Sequence, residues 1–256
     1  MKYGCFGRFK DLPVIESVGF SSVEADFQDL TNLTDTEFDS LMEYRKSSSL
    51  TFIVFSGLLP LTLRFFDNYD EEFWLAKIRK GAARASLLGC KMIPFGAGKC
   101  RSLPPSVERL DGAKHVALIV SHICDVLSEN GISLIVEPLG PHYSNFLHTL
   151  PEVSDFLELV DRTNCLSMCD LRHMIHAGEP LKDILTYRDI IRHAHIDYPL
   201  GEHRYFPARN DGYDYSLYLD MLRRSGYEGL LTIEATAIQQ DFRKEAAEGL
   251  AVISAI

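Results

Sequence analysis

Four ionisable residues in the second half of the chain each belong to an apolar, strand-like run. Leu134-Ile135-Val136 runs into Glu137, Ser167-Met168-Cys169 into Asp170, and Leu231-Thr232-Ile233 into Glu234, while His195 lies within His193-Ala194-His195-Ile196-Asp197. Three carboxylates and one imidazole form a hard, mostly oxygen donor set, which suits one Mn²⁺, Mg²⁺ or Co²⁺ ion and can accept Zn²⁺. A carboxylate buried without a partner is costly, and a cation supplies that partner. Taken singly, each residue has an ordinary alternative: an acidic residue after a strand is often a helix cap, and a histidine in a strand is often a satisfied core side chain. Four of them on successive strands form a more specific pattern. Cys169 is set apart from them because neighbouring strand residues point to opposite faces.

An ion held by Glu137, Asp170, His195 and Glu234 would polarise a carbonyl and favour an enediolate. Carboxylates beside it could then remove and return a proton at the adjacent carbon. That is the chemistry needed to isomerise or epimerise a small sugar, keto-sugar or other hydroxy-carbonyl compound.

The elements that must position these residues alternate along the whole chain. Strands are predicted at 3–6, 22–27, 50–55, 91–95, 133–137, 166–170, 192–197 and 230–234, several of them near-continuously apolar, as strands buried on both faces should be. Helical periodicity marks 11–18, 34–48, 71–88, 106–128, 150–160, 181–187, 215–225 and 241–253, and Asp35 or Thr36 is the expected cap of the second. Gly19, Gly89, Gly131 and Gly226 punctuate helix ends just ahead of strands. Eight strands with interleaved helices predict an α/β chain folded as a single (β/α)8 TIM barrel domain over residues 1–256, with the chemistry at the C-terminal strand ends. An open doubly wound sheet is the weaker alternative. Gly4-Cys5-Phe6-Gly7 does not continue into a GxGxxG turn, and Gly96-Ala97-Gly98-Lys99 lacks the flanks of a phosphate-binding loop.

Composition narrows the partners. A net charge of −10 over 256 residues works against attraction to a phosphate backbone, so no nucleic-acid partner is expected. Met1–Phe6 lacks the apolar core of a secretory signal, and no run has the length of a membrane span. The six cysteines show no CxxC pair. These features predict a cytoplasmic protein with reduced thiols and no membrane association.

Several motifs, in order, resemble the xylose isomerase-like superfamily, and more narrowly its sugar phosphate isomerase/epimerase group, which includes ketose 3-epimerases and hydroxypyruvate isomerases. They are Gly19-Phe20-x-x-Val23-Glu24, Phe95-Gly96-Ala97-Gly98-Lys99-x-Arg101-x-x-Pro104, Glu137-Pro138-Leu139, Asp170-Leu171-Arg172-His173, His193-x-His195, and Gly226-Tyr227-Glu228-Gly229 leading to Ile233-Glu234. The resemblance implies a small sugar-like substrate, Glu137, Asp170, His195 and Glu234 as the ligands of one divalent ion, and Glu137 and Glu234 as the proton-transferring pair. It also implies His173 as a substrate-contacting histidine, Arg204 as the substrate-binding arginine (with Arg209 as a competitor), and Glu24 as a structural residue near the pocket. Members of the family often dimerise or tetramerise, so a homo-oligomer is one expectation.

The chain also departs from the pattern. Gly140-Pro141-His142-Tyr143-Ser144-Asn145 stands where sugar epimerases carry Asn-Arg and a further acid, and Asp197-Tyr198-Pro199 follows His195. Those changes bear on the substrate more than on the ion. The same site would serve a metal-dependent dehydratase of an inosose or a dehydroshikimate-like acid. An apurinic endonuclease-like hydrolase is disfavoured, because Ser56-Gly57-Leu58-Leu59-Pro60 and Gly96-Ala97-Gly98 carry no histidine and Asp211-Gly212-Tyr213 replaces Asp-x-His. Lys99 and Arg101, on the Gly-rich loop, are candidates for holding an anion at a helix N-terminus.

Overall fold

A computed structural model describes residues 1–256. Its strands are β1 (Lys2–Phe6), β2 (Ser22–Asp26), β3 (Thr51–Ser56), β4 (Met92–Phe95), β5 (Ser133–Val136), β6 (Cys165–Asp170), β7 (Ile191–Ile196) and β8 (Leu230–Ile233). Every neighbouring pair is parallel and the sheet closes on itself in chain order. Closure is made by β1 against β8, with Lys2 opposite Leu230 and Cys5 opposite Ile233. This is the (β/α)8 barrel that the alternating pattern predicts.

The ring of helices is held to the strands by apolar stripes. The helix Arg109–Ser128 turns Val116, Ile119, Val120, Ile123 and Leu127 inward, and each fully buried side chain of this size contributes about 1.5–3 kcal/mol. Local signals set the ends of the helices. Thr34, one residue ahead of the expected cap, starts the helix Asp35–Ser47 through a reciprocal capping box with Glu37. Gly19 and Gly89 end their helices at φ 104°, a left-handed backbone that a side chain would strain. The helix expected from residue 106 begins at Arg109, because Pro104 first accepts a turn hydrogen bond from Val107 N at 3.0 Å.

Three short helices, Phe27–Asn32, Gly98–Arg101 and Leu171–Ala177, start directly or nearly directly after strands and escape the periodicity reading. They are too short to show a repeating apolar stripe. Strands β5, β7 and β8 stop one residue before Glu137, Asp197 and Glu234, so these acids stand on the rim just past the paired backbone. All six cysteines are buried free thiols. No helix is long and apolar enough to cross a membrane.

Candidate metal and substrate site

The four residues singled out by their strand positions converge at the C-terminal mouth of the barrel. One donor atom from each of Glu137, Asp170, His195 and Glu234 can be chosen so that all lie within 4.8 Å of one another. His195 Nδ1 is central: it lies 3.4 Å from Glu137 Oε1, 3.7 Å from Asp170 Oδ2 and 3.2 Å from Glu234 Oε2.

Backbone geometry aims each donor. Asp170 ends β6 and caps the next helix, so Oδ1 accepts the His173 N–H at 3.0 Å and Oδ2 faces the mouth, where Arg204 meets it. Glu137 follows β5, with its backbone N–H bonded to Phe95 O at 3.2 Å. The side chain needs room that only glycine leaves: a Cβ on Gly96 would lie 2.5 Å from Glu137 Oε2. The Gly-rich loop after β4 is therefore a close-approach device.

Arg101 does not serve as the anion holder suggested by its position on that loop. It is wholly buried and donates to Phe95 O at 3.1 Å, Glu137 O at 2.7 Å and Leu147 O at 3.2 Å, tying the ends of β4 and β5 together. Lys99 is exposed on the same turn.

His195 is oriented from behind by Glu24 of β2. Glu24 Oε1 lies 3.0 Å from His195 Nε2, Oε2 lies 2.8 Å from His193 Nε2, and the Ser56 hydroxyl also donates to Glu24. Burial opposes the charge on Glu24, but His195 and His193 outweigh it and hold its carboxyl well below the usual range. With Nε2 committed to Glu24, Nδ1 is the atom that His195 presents to the mouth. A histidine that donates from one nitrogen to a carboxylate is fixed in the orientation a metal ligand requires.

Two further residues complete the floor and wall. His173 is buried, and its Nδ1 accepts the Gly140 N–H at 3.3 Å. Nε2 faces Glu137 Oε1 at 3.7 Å and lies 3.5 Å from Arg204 Nη2. Burial lowers the His173 pKa against the pull of Asp170 and Glu137, which favours the neutral ring. Arg204 comes from the long connection after β7. It pairs with Asp170 Oδ2 at 2.5 Å, with Asp197 Oδ2 at 2.7 Å, and with Glu234. Arg209 is exposed and uses its backbone N–H on Glu248, so it takes no part.

The connection that carries Arg204 is anchored by Arg172, the residue before His173. The wholly buried Arg172 grips Asp197 with Nε at 3.1 and 3.0 Å and donates to the carbonyls of Gly201 at 2.9 Å, His203 at 2.8 Å and Tyr198. Sequence reasoning missed both this role and that of Arg101. An arginine in the first turn after a strand reads as a surface charge, and only the folded connection shows the carbonyls it serves.

The donor set fits a divalent cation on an internal observation. Glu137 Oε1 and His195 Nδ1 are buried and have no hydrogen-bond partner, and both point into the space between the four residues. Unpaired buried polar atoms are uncommon in folded chains, and a cation held between these residues would satisfy both. Near the mouth, five carboxylates (Glu24, Glu137, Asp170, Asp197 and Glu234) gather around a few permanent cations, with Arg172 paired to Asp197 and Arg204 to Asp170, Asp197 and Glu234. At the exits of β3 and β4, where a multi-metal nuclease site would need further histidines, stand Ser56 and Gly96.

The profile of the xylose isomerase-like TIM barrel family matches residues 12–256, and the chain belongs to that family. A stretch of 118 residues is 31% identical to the fructoselysine 3-epimerase of Escherichia coli O157:H7, covering 45% of this chain and 42% of that protein. The match thus spans less than half of the curated relative. Over their whole lengths, this chain and the 3-keto-D-glucoside 4-epimerase of E. coli superpose with a TM-score of 0.83 at 20% identity, with 100% of both covered. A probable 3-DHS dehydratase from Bacillus anthracis gives a TM-score of 0.80 at 16% identity, with 99% of both covered. At these identities the two structural likenesses are likenesses of fold.

Proposed function

We propose that the protein is a divalent-metal-dependent epimerase or isomerase of a ketose-like hydroxy-carbonyl substrate. One observation carries this reading: Glu137, Asp170, His195 and Glu234 converge at the barrel mouth with His195 Nδ1 and Glu137 Oε1 unpaired. These four residues would hold the ion, with Glu24 fixing His195. When bound, the ion supplies Lewis acidity that polarises the substrate carbonyl and acidifies the neighbouring C–H.

The chain's own groups do the rest. Glu137 follows β5 and Glu234 follows β8, so their carboxylates approach the central space from different arcs of the rim. One carboxylate takes the proton from the carbon next to the carbonyl, leaving an enediolate. The other returns a proton to the opposite face of that carbon, giving an epimer, or to the adjacent carbon, giving an isomer. His173 would contact a substrate oxygen, and Arg204 would hold a hydroxyl or an anionic group while balancing Asp170 and Glu234. The family relationship and the epimerase names among the similar proteins support this reading.

Deuterium exchange tests it. In D₂O with Mn²⁺ or Co²⁺ and a panel of ketoses, hydroxypyruvate and inososes, NMR should show deuterium entering one carbon adjacent to the carbonyl. Glu234→Gln should slow that exchange by about 10²–10⁴-fold. Full exchange in the variant would overturn the assignment of Glu234. Net loss of water from an inosose or a dehydroshikimate-like acid, without epimerisation of any ketose, would replace the isomerase reading with a dehydratase.

A further inference from the structure

A cleft of about 640 Å³ opens beside the candidate site, over the ends of β1, β2 and β8. Its walls begin where the site ends: Ala235 and Thr236, which follow Glu234 directly, line it. Consecutive Cα atoms are about 3.8 Å apart, so this wall begins one residue past Glu234 on the barrel rim. The Thr236 backbone N–H also donates to Arg204 O at 3.0 Å, which ties this wall to the arginine of the site.

The cleft has two characters. Phe6, Ala235 and Phe242 give it an apolar side. The rim beside β1 and β2 gives it charges of both signs: Arg8, Lys10 and Asp11 follow β1, Asp26 ends β2, and Asp29 lies in the short helix after it. Neither the Arg8 guanidinium nor the Asp29 carboxylate makes a hydrogen bond or an ion pair within the protein, although each backbone N–H is used. Asp26 is half-buried, and Gly57, at φ 74°, leaves room for it: a Cβ there would lie 2.5 Å from Asp26 Oδ2. Burial raises the Asp26 pKa, and Arg8 is near enough to oppose that rise.

A free hexose offers hydroxyl groups and carries no charge to match this arrangement. A ligand matched to the cleft has an apolar spacer and an end that carries both an ammonium and a carboxylate. We propose that the cleft is a distal subsite for the zwitterionic amino-acid end of a ketose conjugate, whose hydroxy-carbonyl end lies among Glu137, Asp170, His195 and Glu234. This inference rests on the proposed function and names its substrate class. Arg8 and Lys10 receive the carboxylate, Asp26 and Asp29 receive the ammonium, and Phe6 and Phe242 cover the alkyl spacer. No covalent step takes place in the cleft.

The test compares three substrates on the full chain with metal added: a free ketose, its 1-deoxy derivative with the side-chain nitrogen of lysine bonded to C1, and the 1-deoxy derivative with the nitrogen of hexylamine bonded to C1. The readout is deuterium exchange as kcat/KM. The expected result is at least a ten-fold preference for the lysine conjugate over the hexylamine conjugate, carried in KM. That ratio should collapse toward one in Arg8→Gln and in Asp29→Asn, two exposed side chains with no partners whose replacement leaves the fold intact. Equal kcat/KM for the two conjugates, with clear exchange on the free ketose, overturns this inference and leaves the proposed function standing. A preference that survives both substitutions also overturns it. Absence of exchange with all three substrates overturns the proposed function, and this inference with it.

Discussion

The two halves of the barrel rim solve different problems. From β5 to β8, each strand delivers an ionisable side chain to the mouth, and the chain must keep those charges from repelling one another. It does so with arginines: Arg172 on Asp197, and Arg204 across Asp170, Asp197 and Glu234. From β1 to β4, the rim supplies shape. Gly96 makes way for Glu137, the charged cleft opens over β1 and β2, and one buried acid, Glu24, reaches across to hold His195. The difference teaches that the converging donors and the cations that balance them come from the second half of the sequence, while the first half adds the space around Glu137 and the acid that orients His195.

The division breaks first at Arg172, a wholly buried cation of the charged half. Arg172→Met leaves Asp197 in the interior with one guanidinium fewer and frees the carbonyls of Gly201, Tyr198 and His203. Removing one partner of a buried pair costs about 3–5 kcal/mol. Denaturant unfolding should show a loss of that size, together with weaker metal binding because the Arg204 connection loosens. An unchanged midpoint would remove the claim that buried arginines make the charged half tolerable.

The quieter half is probed at Gly96. A methyl group there must displace Glu137 Oε2, so Gly96→Ala should weaken metal affinity by about 10–100-fold, the usual effect of disturbing what orients a ligand, with a smaller loss of stability. Calorimetric titration reads the affinity, and wild-type affinity in the variant would show that the glycine has no part in placing Glu137.

How far this division was legible in the sequence follows from the same physics. Glu137, Asp170, His195 and Glu234 were visible because each belongs to an apolar run and barrels put such residues at one end. His173 and Arg204 came from family-like motifs, and the fold brings both to the mouth. The contact of Glu24 with His193 and His195 joins residues 169 and 171 positions apart, and no local pattern encodes it. Arg101 and Arg172 were opaque for a related reason: their partners are backbone carbonyls of folded connections, which have no signature in residue type. The short helices after β2, β4 and β6 fell below the length at which periodicity speaks.

The smallest expected effect is at Glu179, a buried acid of the charged half that no arginine serves. Its Oε1 accepts the Leu150 N–H at 2.7 Å, and burial pushes its carboxyl up to about 7. The unfolded chain releases this proton near the ordinary value of 4.5. Between those values the folded state holds a proton that the unfolded state has lost, so stability falls as pH rises through that window. Glu179→Gln should therefore stabilise the protein at pH 8 by about 1 kcal/mol, allowing for solvent screening, and should have no effect below pH 4. Thermal melts at the two pH values check the sign, and a variant equally stabilised at both would contradict it.

The central claim is that four rim residues form one divalent-metal site, and metal counting tests it most directly. After chelation, reloading with Mn²⁺, Co²⁺ or Zn²⁺ and removal of free ion, elemental analysis should find one ion per wild-type chain. The folded Asp170→Asn/Glu234→Gln double variant should retain none. A wild-type chain that retains no ion, or a double variant that still holds one, would contradict the account.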